Sequence, residues 1–101
     1  MISMKRQGES YIMYDNDIIL GNCDFSLINK TIYKFTNLSD ISDKMVIINL
    51  AKAVLNFFDL HGVSNVKCLD TKNKEILTSI GFNDNLEICL IGYFDSPCSL
   101  S

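Results

Sequence analysis

The stretch "TIYKFTNLSDISDKMVIINLAKAVLNFFDLHGVSNVKCL", residues 31–69, decides the fold. Its opening alternates: Tyr33 and Phe35 fall on one face of an extended chain, Lys34 and Thr36 on the other, the period of a half-buried strand. The alternation then gives way to a helical rhythm. Ser39, Asp40 and Ser42 are cap candidates, and Ile47, Leu50, Ala51, Val54 and Phe58 recur at steps of three and four. Asn49, Lys52, Asn56 and Asp59 fall on the opposite side. His61 and Gly62 end the helix, the glycine supplying a left-handed stop and the histidine lying near the negative end of the helix dipole. "VSNVKCL" returns to strand. A strand, a long helix and a second strand make a crossover of the length that a parallel pair needs.

Outward from this unit, "SYIMYDNDIILGNCDFSLINKTIYKFTNLS", residues 10–39, holds turn signals at 15–17 and at 29–30 between runs of Ile, Tyr and Phe. It predicts a three-stranded antiparallel meander. In the middle strand Ile19, Gly21, Cys23, Phe25 and Leu27 share one face, and Asn22, Asp24 and Ser26 share the other, so Cys23 is expected in the core as an inert thiol. On the C-terminal side, "KNKEILTSIGFN", residues 72–83, predicts a short helix capped by Asp70 or Thr71 and ended by Gly81, with Ile76, Leu77 and Ile80 packed on the sheet. "LEICLIGYF", residues 86–94, is apolar on both faces and predicts an interior strand. The fold class is therefore α+β: a meander followed by helix, strand, helix and strand around one mixed sheet. The domain spans 11–95, with an N-terminal extension over 1–10 and a C-terminal tail over 96–101 weakened by Pro97.

At 101 residues, 48% hydrophobic and 21% charged, the chain is long enough for one core and too ordered in composition for disorder. A net charge of −3 and scattered cations, with Arg6 the one arginine, argue against a nucleic-acid binder. The start lacks the apolar run of a secretory signal, and the most apolar segment, residues 45–58, is short and interrupted by Asn49, Lys52 and Asn56, so no membrane partner and a cytoplasmic location are expected. Cys23, Cys68, Cys89 and Cys98 show no CxxC spacing and have only His61 as a nitrogen partner, so no metal site is expected. Frequent Ile, Asn and Lys beside two alanines suggest an AT-rich, bacterial coding bias.

The order of elements, together with "HGVSNVKCLDTKNKEILTSIGF", residues 61–82, resembles the GCN5-related N-acetyltransferase (GNAT) family. Gly62 after the long helix, the strand at 66–69, Asp70 or Asn73 at the last helix, and the Gly81 and Phe82 pair carry the resemblance, over roughly residues 11–94. It implies a GNAT-like fold and a small acyl-CoA-dependent N-acyltransferase acting on a small amine. The cofactor, acetyl-CoA or CoA, would lie between strands at 32–38 and 63–69. Phe35, Asn37, Asp43, Lys44, Met45, Val46, Ile47 and Asn73 would bind it, with backbone N–H groups of residues 43–47 on the pyrophosphate, as a helix N-terminus allows.

The chain departs from the family pattern in three places. The loop at 39–48, "SDISDKMVII", has none of the glycines that let a backbone approach phosphate, and Asp40 and Asp43 add negative charge there. Leu77 stands where many members place a tyrosine that protonates the departing thiolate, and leucine is no acid. The first strand and two helices of the family lie outside this length. No catalytic residue is assigned: Tyr33, Tyr93, Cys68 and His61 are polar candidates better read as structural, and Asp24 or Glu87 could serve as base only by projecting into a cleft. The alternative function is a non-catalytic GNAT-fold interaction module whose bare strand edges pair in a homodimer or with a protein partner. A third reading treats the resemblance as accidental and the chain as an unrelated α+β domain, which antiparallel strands at 32–38 and 63–69 would establish.

Overall fold

Three tight connections lay out the first half of the chain. The computed structural model describes residues 2–38 and 44–93. Strands β1 (Ile2–Gln7) and β2 (Ser10–Asp15) are joined by a two-residue turn at Gly8 and Glu9, with Gly8 at φ +59°, where a residue bearing a Cβ is disfavoured. Asn16, at φ 56°, turns β2 into β3 (Ile18–Ser26), and Lys30, also at φ 56°, precedes β4 (Thr31–Asn37). All three pairings are antiparallel. The meander thus has four strands, and the segment expected to be an N-terminal extension contributes the first. Its polar run, Lys5, Arg6 and Gln7, carries no strand signal, and pairing with β2 along its whole length overrides that weak propensity.

Two bulges re-aim side chains that simple alternation misplaces. Leu20 is the extra residue of β3 opposite β2, so Ile19 leaves the core face and is 44% exposed. Tyr33 is the extra residue of β4 opposite β3: Phe25 faces Ile32 while Asp24 faces Lys34. Ile32 and Phe35 are consequently both buried although they sit three apart, and Tyr33 is carried outward. Cys23 is fully buried, as its face predicts; Ser26, placed on the other face by alternation, is buried too.

Helix α1 (Lys44–Leu60) buries Val46, Ile47, Leu50, Ala51, Val54, Leu55 and Phe58. This is the apolar stripe the spacing predicts. It ends with Gly62 at φ +77°, the Val63 N–H donating to the Phe58 carbonyl at 3.0 Å and the Gly62 N–H to the Asp59 carbonyl at 3.1 Å. The chain then enters β5 (Asn65–Cys68), which lies parallel to β4, the orientation that the length of the crossover predicts. Helix α2 (Lys74–Ser79) packs beside α1, with Leu77 fully buried and Ile76 and Ile80 half-buried against the core.

The last strand corrects an expectation. β6 (Glu87–Cys89) is three residues long and, among the described residues, pairs only with β5, so it is the second edge of a six-stranded sheet ordered β1 to β6 and not an interior strand. Its apolar neighbours are divided: Leu86 and Leu90, on either side of it, are buried in the core cluster, and Ile91 is 78% exposed. α1 contacts β2, β3 and β4 on one face of the sheet. On the other face Lys5, Ile12, Asn22 and Thr36 lie side by side across four strands, half-buried or exposed.

Candidate functional site

The parallel ladder between β4 and β5 is short. Thr31 pairs with Lys67 and Ile32 with Cys68, and the Leu69 N–H donates to the Ile32 carbonyl at 2.8 Å. Beyond that bond the strands part. β4 runs on to Asn37, while the chain after β5 turns at Asp70 into α2. A cleft of about 490 Å³ opens between Tyr33–Asn37 and the 69–72 turn. Next to it, a cavity of about 340 Å³ lies among Asn37, the first turn of α1, and the start of α2. Lys72 and Asn37 line both, so the two spaces adjoin.

Five of the eight residues expected to bind a cofactor meet here. Asn37, Lys44, Ile47 and Asn73 line the smaller cavity, and Phe35 and Asn37 line the larger one. Two others do not. Met45 is exposed and lines neither space, and Val46 is a core residue whose Cγ1 lies close against Gly21 of β3. Helical geometry is the reason: at 100° per residue, consecutive positions at a helix start cannot all face one site. Asp43 lies outside the described residues.

The residue that organises the cleft is Asp70, expected only to cap α2. It is 7% exposed. One carboxylate oxygen accepts the buried Phe35 N–H at 2.9 Å and the Asn73 Nδ2 at 3.2 Å; the other accepts the Lys72 N–H at 2.9 Å. The carboxylate thus replaces the ladder at the point where the strands separate, tying β4 to the approach of α2. Asn73 holds the N-cap position without a side-chain cap bond. An acid two residues before Lys72 is a legible Asx-turn signal, but a partner 35 positions away in the chain is not. Lys72, also missed, lines the same cavity as Lys44, with Glu75 the one carboxylate among the described residues that line it.

The polar candidates for chemistry sort by environment. Tyr33 stands at the mouth of the cleft, where hydrogen bonds from Asn29, whose Nδ2 donates at 3.1 Å, and from Ser26 hold its phenol below the ordinary tyrosine range. Tyr93 is pushed up by burial and donates its hydroxyl proton to the Ile80 carbonyl at 2.6 Å. His61 packs tilted against Phe57, ring centroids 4.2 Å apart, at the end of α1 away from the cleft. Leu77 is core, with no room for an acid at that position.

Burial pushes the Cys68 thiol up to about 11 and the Cys23 thiol up as well. Neither is a thiolate nucleophile at neutral pH. The folded chain therefore keeps protons that the unfolded chain releases near the ordinary thiol value. Stability should be fully present below about pH 8.5 and fall as pH rises toward the raised value of Cys68. Urea midpoints at pH 7.5 and 10 check the sign, with the Cys68→Ala variant expected to show a smaller loss than the parent. A midpoint that rises with pH would contradict it.

No protein-family model, curated protein or solved structure matches this chain. The site stands on its own chemistry: an open strand edge, with Lys34, Lys44 and Lys72, the carboxylates of Asp70 and Glu75, and the side-chain amides of Asn37 and Asn73 around one connected space. No helix among the described residues is long and apolar enough to cross a membrane. No cluster of metal-ligating side chains occurs among them either.

Proposed function

We propose that this chain is a GNAT-like domain that binds coenzyme A or its acetyl thioester in the cleft between β4 and β5. One observation carries the reading: the parallel strands part after two residue pairs, and the space between them runs on to the first turn of α1. The phosphates would lie among Lys44, Lys72, Asn37 and Asn73, where cations and amide donors suit an anion. The amide-bearing arm would follow β4 past Phe35 toward Tyr33. Binding is the part of the family's activity that the geometry favours; acyl transfer to a small amine would need an acid, and Leu77 supplies none.

The second reading, a non-catalytic module acting as a dimer or with a protein partner, draws on Asp70. Its carboxylate already takes the Phe35 N–H that an extended amide ligand would seek.

Calorimetric titration with acetyl-CoA and, separately, with free CoA tests the first reading. Micromolar binding is expected, weakened about tenfold when Lys72→Glu reverses one charge at the phosphate end. No heat up to millimolar ligand would refute it. Release of free thiol in the presence of small amines would promote the domain from binder to transferase.

A further inference from the structure

Among the described residues β1 is one end of the sheet and pairs with β2 alone. The Glu9 carbonyl accepts the Phe25 N–H from β3, which fixes the parity of the first hairpin. Ser10 and Gln7 therefore bond each other, and Ile2, Met4 and Arg6 direct their backbone N–H and C=O groups outward, away from β2. The strand has no proline and no bulge against its neighbour, two of the devices that usually blunt an edge. Beside it runs a groove of about 420 Å³ between β1 and α1, with Met4 and Met13 among its apolar lining and Asn49, Lys52 and Asn56 on its helix side.

The charge around this edge is opposite to that of the whole chain. Lys5 lies on the open face of the sheet, its Nζ 5.6 Å from the Tyr14 ring centroid, and Lys52 is exposed on α1 at the groove. Arg6 is held in place, over Phe57 at 4.9 Å and donating to the Gly8 carbonyl at 2.8 Å. The chain as a whole carries −3. A second copy adding its own β1 antiparallel would bring Lys5 and Arg6 of both copies within a residue or two of one another, and like charges across paired strands repel. An acidic strand meets cations on both of its faces.

We propose that β1 and the groove beside it receive an extended acidic segment of a partner protein as a seventh strand. Backbone bonds to Ile2, Met4 and Arg6 supply the pairing. Carboxylates reach Lys5 on one face and Lys52 on the other, and a small apolar side chain enters the groove over Met4. The site lies at the opposite end of the sheet from the β4–β5 cleft, and the inference is independent of what that cleft binds.

The test is titration of the isotope-labelled full chain with a capped peptide of about eight residues, the span of one strand, in which pairs of glutamates alternate with pairs of valines so that each face carries both. Saturable binding is expected, with amide shifts centred on residues 2–7 and 49–56, loss of affinity with added salt, and about a tenfold loss in the K5E/K52E variant. If the double variant is not folded, K52E alone, on the exposed side of α1, is read in its place. Equal affinity for the valine and lysine counterpart would overturn the proposal, as would indifference to a central proline in the peptide, shifts centred elsewhere, or no saturation at millimolar peptide. A peptide-free dimer with protected amides at Met4 and Arg6 would also overturn it, by giving the edge to a second copy.

Discussion

Asp70→Ala should lower the unfolding free energy by about 2–4 kcal/mol, a large fraction of what holds a domain of this size together. The carboxylate accepts three hydrogen bonds, and one comes from the Phe35 N–H in a buried position. Alanine leaves that buried donor without its partner, which costs more than the net worth of the bond itself. The damage should also be local in kind. β4 loses its tie to the approach of α2, so the cleft widens where Tyr33–Asn37 faces the 69–72 turn. Asp70→Asn keeps one acceptor oxygen and should fall between parent and alanine. Urea denaturation followed by circular dichroism checks the series, and equal midpoints for parent and Asp70→Ala would refute it.

Gly21→Ala should be comparably costly, by about 3 kcal/mol, although it adds one methyl group. The reason is proximity and not backbone angle. A Cβ at Gly21 would stand 2.5 Å from the Thr36 carbonyl oxygen on β4 and 2.9 Å from Val46 Cγ1 on α1. A flexible side chain could yield, but a carbonyl in a strand yields only if the ladder moves. β3 and β4 must then separate near Gly21 and Asn37, and the first turn of α1 must lift. A fall in melting temperature on the order of 10–20 °C is expected for a domain of this length. An unchanged melting temperature would mean that β4 and α1 shift freely at this point, which the close packing of the core argues against.

Much of the architecture was legible because long periodic segments carry their own signal. The spacing of Ile47, Leu50, Val54 and Phe58 placed α1, and Gly62 and Gly81 placed the ends of both helices. Parallel β4 and β5 followed from the length of chain between them. What escaped was decided by partners and not by propensity. β1 is polar at Lys5, Arg6 and Gln7, and is a strand because β2 lies beside it. The bulges at Leu20 and Tyr33 exist only relative to neighbouring strands, so alternation misplaced Ile19. β6 is an edge because no described strand pairs with its far side, a fact no run of apolar letters reveals. At the site, Asn37, Lys44, Ile47 and Asn73 were anticipated from the resemblance and do converge. Asp70 and Lys72 were not, since each acquires its place from the way the 69–72 turn folds back on β4.

The two-pair ladder between β4 and β5 bears on the order in which the molecule assembles. The first four strands pair with their immediate neighbours in the chain, so each hairpin closes only a short loop. Joining β5 to β4 instead closes a loop of roughly 35 residues, at an entropic cost on the order of 3 kcal/mol, for two paired positions. Those bonds cannot drive the step. The buried stripe of α1 can, because it lies on β2, β3 and β4 and touches α2, so the C-terminal third is carried onto a finished meander by the helix. The cleft lies along that late seam, and the loosest join in the assembly is also the place where the molecule has room for something else.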